Sequence, residues 1–415
     1  MRSLFVDTYI FILLVIGLLL LFVTLGSGVI ARLPLSFALI YLIVGGLIGY
    51  EGIGLFPESI NIEILERLTE FVVIVSVFSC GLKMVRPLKL WAWQTTIRLI
   101  GFLMPLSIVG IAAVAHWLVG LNWGAAILLG AILAPTDPVL ASEVQLTHIN
   151  DKDELRFGLT SEGGINDALA FPFVYFGLFF LQDNNLENWF SQWVLIDLLW
   201  AITAGLGMGI AVARGISLIE QYLQRFHPAD SLMEDFVALA TILLTYSLTE
   251  LINGYGFLAV FVAGVEMQRR CRHINRRLSQ LEFTEKIEKL LEVGTILLLG
   301  TLIRLDAIST FSQNALIVAG LLIFVVRPLG VWISTIGSHL PTHIRFLLGW
   351  FGIRGVGSIY YLSYALGHDI DSEIATSLSW ITYITIIVSV ILHGISSTPL
   401  MNWYNRNLER QHTGH

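Results

Sequence analysis

Ala134-Pro135-Thr136-Asp137-Pro138 interrupts an otherwise apolar run that extends from Trp123 to Val144. Pro135 has no N–H for the carbonyl of Ala131, and Pro138 has none for that of Ala134, so a helix passing through must open here. A bilayer tolerates open backbone only where protein or a watered cavity satisfies its polar groups. Asp137 stands directly before Pro138, which predicts an N-cap followed by a second half-helix with proline at its first position. Freed carbonyls, the Thr136 hydroxyl and the Asp137 carboxylate make an oxygen-rich pocket of the kind hard cations prefer. Helices broken near the bilayer midplane also mark the binding sites of secondary transporters.

The rest of the chain fits a membrane setting. Of 415 residues, 55% are hydrophobic and only 13% charged, which excludes a soluble globule. Apolar runs of about 17–25 residues recur, the signature of a polytopic all-α membrane protein. Cys80 and Cys271 lie far apart in sequence, and no disulfide framework or metal-finger spacing exists. The first run, Tyr9 to Gly26, lacks a small-residue cleavage site and reads as a retained span.

Thirteen spans are expected, at about 8–26, 35–50, 69–83, 94–119, 123–147, 155–182, 192–214, 232–252, 254–268, 287–304, 314–337, 345–367 and 377–399. With the amino terminus outside, the inner loops then collect Arg32, Lys83, Arg86, Lys89, Arg98, Lys152, Arg156, Arg214 and Arg225. They also collect the basic stretch Arg269-Arg270-Cys271-Arg272 to Lys289, then Arg345, Arg406 and Arg410. The outer side keeps only Arg2, Arg67 and Arg304, with acidic segments at Glu51–Glu70 and Asp369–Glu373. That asymmetry follows the positive-inside rule and puts the carboxyl end, a short tail from 400 to 415, in the cytoplasm. The basic stretch reads as an orientation signal in a solvated loop.

Spans one to six and eight to thirteen can form two units of opposite orientation, with the seventh as connector. The fifth then corresponds to the twelfth, which carries Gly349, Gly352, Gly355 and Gly357 around Arg354. Two interrupted helices at matching places fit an inverted-repeat transporter with unwound crossing helices.

Ionisable groups at this depth are costly and are functional candidates. Glu162 and Asn166 are four residues apart on one helix face, while Asp167 points about 100° further round. A carboxyl set among Ile165, Phe171 and Phe173 can hold a proton or a metal cation, not both. Arg327, before Pro328, cannot shed its proton and needs a permanent counter-charge; Glu162 is the expected partner, leaving Asp167 to titrate. For Asp137 two roles are open, direct ion ligand or compensation of the positive end of the half-helix after it. Arg354 would do the opposite duty, facing negative helix ends. Ser79, His116, Asp197, Glu250 and His393 read as satisfied packing or wet positions.

The Ala134–Pro138 stretch followed by Glu162 and Asn166-Asp167 resembles the NhaP/NHE-type sodium/proton antiporters of the cation:proton antiporter superfamily. Supporting pieces are Gly256 to Gly264, Arg327-Pro328-Leu329-Gly330-Val331, Gly352-Ile353-Arg354-Gly355, and His393-Gly394 before Thr398-Pro399-Leu400. The resemblance implies the NhaA-like fold and a homodimer in a bacterial or archaeal inner membrane. Its interface part would be about 8–83 and 232–304, and its moving core about 94–182 and 314–399. It implies that Asp167 is the ion- and proton-binding aspartate, with Asn166, Thr136 and Asp137 around the transported ion. It also implies that Glu162 with Arg327 is a structural ion pair. Asn166 in place of a second aspartate implies electroneutral exchange. Ser79, where many relatives carry an acid, and Gly163, where a serine is common, depart from the pattern.

The expected function is therefore secondary Na⁺(Li⁺)/H⁺ antiport by alternating access, with K⁺/H⁺ antiport as the alternative. No phosphate loop or other nucleotide motif suggests a pump, and no cofactor or nucleic-acid partner is expected beyond the cargo and the lipid bilayer. A cation channel would need a symmetric filter. An intramembrane aspartyl protease would need two carboxylates sharing a proton, which Asp137 and Asp167 could imitate.

Overall fold

The computed structural model describes residues 10–11, 13–22, 24–25, 36–56, 61–142, 144–146, 151, 153–183, 185–224, 235–270 and 274–413. Of the residues singled out above, Arg2, Tyr9, Gly26, Arg32, Lys152, Arg225, Cys271 and Arg272 lie outside them. The described residues are helical without strands. Each expected span contains a helix, numbered here in chain order.

The first unit comprises α1 (Leu13–Phe22), α2 (Phe37–Ile48), α3 (Ile62–Lys83), α4 (Leu90–Val119), α5 (Trp123–Leu133) and α6 (Glu154–Gln182). α7 (Leu186–Leu223) connects the units; only 17% of its most apolar window is buried, so its surface is left for lipid. The second unit comprises α8 (Phe236–Glu250), α9 (Gly256–Arg270), α10 (Ile274–Thr301), α11 (305–334), α12a (Thr342–Trp350), α12b (Val356–Leu366) and α13 (Ser372–Thr413). Among the described residues, five helices taken singly are long and apolar enough to cross a membrane: α4, α6, α7, the Gln313–Ser334 part of α11, and α13. The others are shorter or carry buried polar groups that neighbours must satisfy.

Several boundaries differ from expectation. α3 starts at Ile62 rather than 69 because Asn61 caps it, accepting from the Glu63 N–H at 2.8 Å. α10 starts at Ile274, so most of the basic stretch read as a loop is helix. Lys286 with Glu282 and Lys289 with Glu292 lie one turn apart along it, both at 3.8 Å. The stretch expected as a tail from 400 continues α13 to Thr413, with Pro399 inside the helix. Tyr404 is buried and donates to Asp153 Oδ2 at 2.7 Å, which holds that extension against the start of α6.

The inner-loop charges meet on one face. Lys83 pairs with Glu285 (2.9 Å), Arg86 with Glu154 (2.7 Å), and Arg156 reaches Asn405 (2.8 Å). Arg98 donates to the carbonyl of Ile336 at 2.6 Å. The ends of α3, α4, α6, α10, α11 and α13 are thereby gathered together.

Helix packing has a two-fold pattern. α2 lies along α10 and α3 along α9; exchanging the two units turns the first pair into the second. Glycine marks both crossings. A Cβ on Gly300 would stand 2.7 Å from the Cα of Gly45, and one on Gly264 would stand 2.6 Å from the Phe78 carbonyl oxygen. Backbones can approach this closely only without side chains. In the same way α4 packs on α5, and the end of α11 on α12a. The two groups meet where α3 and α9 touch α6, at Gly164 against Cys80 and Phe261.

Candidate ion-binding site

α5 begins at the cap Asn122, which accepts from Ala125 N–H at 2.9 Å, and stops at Leu133 as the prolines demand. α12a stops at Trp350, and the chain runs unwound through 351–355 before α12b. The two breaks cross, and each is satisfied by the other. Arg354 Nη1 donates to the carbonyls of Ala134 and Pro135, the latter at 2.6 Å. The Asp137 N–H donates to the Ile353 carbonyl at 2.8 Å. Asp137 Oδ2 accepts from the Val356 N–H, and its Oδ1 accepts from Val139 (2.8 Å) and Leu140 (3.1 Å).

A guanidinium thus sits on the negative end of α5, and a carboxylate on the positive end of α12b. Both oxygens of Asp137 are taken by backbone N–H groups. Of the two roles open for it, compensation of the helix ends is the one these bonds describe. The half-helix expected after Pro138 is instead a series of turns over 138–142, although Asp137 does cap the first of them. Asp137 spends its other oxygen on α12b, so it is the cap of the opposite broken helix as well as of its own.

Glu162 and Arg327 form a two-pronged pair, Nη1 to Oε1 at 2.6 Å and Nη2 to Oε2 at 3.0 Å, with both residues 2% exposed. Arg327 Nη2 also donates to the carbonyls of Leu348 (2.9 Å) and Phe351 (3.2 Å), so it closes the end of α12a as Arg354 closes α5. A wide helical turn, Leu322–Val326, precedes it and absorbs the bond that Pro328 cannot make.

Asp167 is 1% exposed, and neither carboxylate oxygen has a hydrogen-bond partner. Beside it, Asn166 Nδ2 donates to Thr136 Oγ1 at 2.8 Å, while Asn166 Oδ1 is buried without a partner. Three unpartnered oxygens and a threonine hydroxyl therefore come from two adjacent residues of α6 and the break after α5. Charges of opposite sign, Asp137 and Arg354, act on Asp167. The main-chain carbonyl of Asp167 accepts from Tyr361. Next to it Phe171 is ringed by Tyr255, Phe257, Tyr360, Tyr361 and Tyr364 at centroid distances of 5.2–5.9 Å.

Sequence reasoning missed several contributors. Ser389 accepts from the Arg354 N–H at 2.9 Å, and His393 lies 2.8 Å from the Trp350 carbonyl through Nε2, so α13 braces the unwound stretch. Gly357 was visible only as one of several glycines. A Cβ there would stand 2.5 Å from Asp167 Oδ1 and 3.1 Å from its Cγ. Gly357→Ala is expected to push the carboxylate aside and slow transport at least tenfold while leaving melting temperature unchanged or higher. Alanine in a helix gains about 1 kcal/mol over glycine. Exchange rates in liposomes beside a thermal melt check this; a variant as fast as wild type would mean the carboxylate is not held where the structure places it. Of the remaining scattered groups, His116 lies 2.7 Å from the Leu121 carbonyl and Glu250 accepts from the Gly256 N–H at 3.0 Å, whereas Asp197 Oδ2 is buried without a hydrogen-bond partner. Ser79 is buried in α3 beside the buried Glu288.

A carboxylate without partners between two mutually compensated helix breaks is the arrangement against which known proteins can be compared. The profile of the sodium/hydrogen exchanger transmembrane family matches residues 12–403. The chain belongs to this family. Among curated relatives, the K(+)/H(+) antiporter NhaP of Alkalimonas amylolytica is 26% identical over 407 residues, 96% of this chain and 67% of that protein. The K(+)/H(+) antiporter NhaP2 of Shewanella sp. (strain MR-4) is 24% identical over 382 residues, 90% of this chain and 63% of that protein. The chain thus spans about two thirds of the length of these relatives. The sodium proton antiporter MjNhaP1 of Methanocaldococcus jannaschii superposes with a TM-score of 0.76 at 22% identity, covering 96% of this exchanger-family chain and 98% of that one. The chain shares the fold of MjNhaP1.

Proposed function

We propose that this protein exchanges a monovalent cation for a proton across the membrane, with the two competing for Asp167. The observation that carries the reading is the Asp167 carboxylate, buried with no hydrogen-bond partner on either oxygen. A bare carboxylate in that position costs several kcal/mol, about what burial of an unpaired ion costs in proteins. A proton or a cation removes that cost, so the loaded forms can move and the empty one cannot. Asn166 Oδ1 and Thr136 Oγ1 complete a cation shell. Asp137 and Arg354 hold the broken helices electrically neutral, and Glu162 with Arg327 ties α6 to α11 and α12a.

In this reading α4–α6 and α11–α13 form the moving core, and α1–α3 with α8–α10 form a dimer interface that stays still. The amino terminus faces outward, and the face that gathers the basic segments is cytoplasmic. One titratable carboxylate carries one charge in either loaded state, so exchange is one for one and electrically silent. The protein is a transporter rather than an enzyme, and Na⁺ or Li⁺ is the cargo implied by the resemblance to the sodium/proton antiporters. The names of the Alkalimonas and Shewanella relatives favour a second reading, K⁺ in place of Na⁺ at the same site.

Reconstitution into liposomes with a trapped pH dye tests both. Gradients of Na⁺, Li⁺ and K⁺ are applied in turn, with and without a potassium-independent membrane potential. Proton movement that follows a cation gradient and is indifferent to voltage is the expected result. The effective ion decides between the two readings, and a rate that tracks voltage would overturn the one-for-one stoichiometry.

A further inference from the structure

At the face where the basic segments gather, a cavity of about 670 Å³ opens between the end of α3, the segment leading into α4, and the turn after α11. Lys83, Arg86, Arg98, Glu154 and His339 supply its polar wall. It does not end there. Trp91, Gln94 and Arg98 also line an apolar groove of about 860 Å³ that follows α4 and α11 past Ile97, Phe102, Leu106 and Ile333. A polar chamber and an apolar channel therefore share one doorway. The shape suits a molecule with a compact polar end and a long apolar one.

The charges at the doorway select its sign. The acids of the chamber already have cations: Glu154 pairs with Arg86 at 2.7 Å and Asp151 with Arg156 at 3.0 Å. Lys83 is held by Glu285 at 2.9 Å. Arg98 is different. Among the described residues its hydrogen bonds, both from Nη1, run to the carbonyls of Ser334 (3.1 Å) and Ile336 (2.6 Å), with no carboxylate paired to its charge and the rest of its fork left for a ligand. Outside the doorway Leu90 is 82% and Trp91 72% exposed. An apolar ledge with a tryptophan at the edge of a basic face is where a chain meets lipid headgroups.

We propose that this chamber and groove bind one anionic phospholipid of the surrounding leaflet, its phosphate on Arg98 and an acyl chain along Ile97, Phe102, Leu106 and Ile333. Lys83 belongs to α3, whereas Arg98, Glu154 and His339 belong to or adjoin the helices that carry the broken spans. A headgroup in the chamber therefore spans the boundary along which those two groups of helices meet, and its presence changes the rate at which they shift. The rate effect rests on the proposed antiport; the binding does not.

The test separates the two. Purified full-length protein is titrated with phosphatidylglycerol and, separately, phosphatidylcholine, and retained lipid is counted by native mass spectrometry. The expected result is a preference for phosphatidylglycerol that drops about fivefold in Arg98→Gln, the loss of one basic contact at a lipid surface. Arg98 also braces two carbonyls, so Leu106→Trp, which fills the groove and leaves the arginine, serves as the second variant and is expected to lose the same preference. Exchange in phosphatidylcholine liposomes, with and without phosphatidylglycerol, is expected to differ for wild type and not for either variant. Equal retention of both lipids by wild type, or wild-type retention by Leu106→Trp, would overturn the proposal. So would displacement by millimolar inorganic phosphate, which would leave an anion site without a lipid. Preferential retention with no exchange in any lipid would instead sink the antiport reading and keep the lipid site.

Discussion

Asp167→Asn protein is expected to show no cation-driven proton movement in liposomes while melting at a higher temperature than wild type. Both halves follow from one fact, a buried carboxylate whose two oxygens have no partner. Asparagine keeps the shape, so the fold has no reason to change, but it can bind neither a proton nor a cation with a full charge. The wild-type carboxylate must be neutralised or tolerated at a cost of several kcal/mol, and removing it relieves the folded state of that cost. Function and stability should therefore move in opposite directions, as at sites strained for a purpose. Melting in cation-free buffer at alkaline pH gives the largest difference, because there the wild-type group is left bare. If Asp167→Asn still exchanges, the proton is carried elsewhere and the ligand set proposed around Asn166 and Thr136 falls with it.

Glu162→Gln is expected to be the most destabilising single substitution in the core, by about 3–5 kcal/mol, the usual cost of leaving one partner of a buried pair alone. Arg327 cannot become neutral, and with the carboxylate gone it keeps only neutral acceptors, the glutamine amide oxygen and the Leu348 and Phe351 carbonyls. Those bonds hold the end of α12a, so the damage should reach the unwound stretch. The double variant Glu162→Gln/Arg327→Met should recover part of the loss by removing the stranded charge, but not all of it, since α12a then lacks its cap. Arg327→Lys should fall between, because an ammonium cannot make both prongs and both carbonyl bonds. Thermal unfolding in detergent, read as a double-mutant cycle, measures the coupling; purely additive losses would mean the pair contributes nothing as a pair.

Much of this site could be read from the chain. Pro135 and Pro138 announce a broken helix because a missing N–H is written in the sequence, and a buried Arg327 announces the need for a carboxylate. What could not be read is the reciprocity. Asp137 meets the Val356 N–H, and Arg354 meets the Ala134 and Pro135 carbonyls. Backbone donors and acceptors look the same at every residue, so no side chain betrays which helix end a charge will serve. Gly357 was hidden for a related reason: a glycine that makes room for a carboxylate is spelled like one that makes room for a helix. The second half of the fifth span was misjudged because local capping rules favour a helix after Asp137-Pro138, whereas that aspartate is shared with α12b. The helical start of α10 was missed because a polar, charged stretch reads as a loop until its one-turn pairs are seen.

The glycine crossings of α2 with α10 and of α3 with α9 have a mechanical consequence. Where backbone rests on backbone, no rotamer can turn and no side chain can flatten, so this part of the molecule is stiff. α4, α7 and α11 each contain wide helical turns, at 99–103 and 115–119, 193–200, and 322–326, which can lengthen or re-pitch. A thicker or thinner bilayer must be met by tilting or stretching some helices and not others. In this protein the strain of a mismatched membrane falls on α4, α7 and α11, two of which flank the broken spans, so membrane thickness itself becomes a force on the helices proposed to carry the ion.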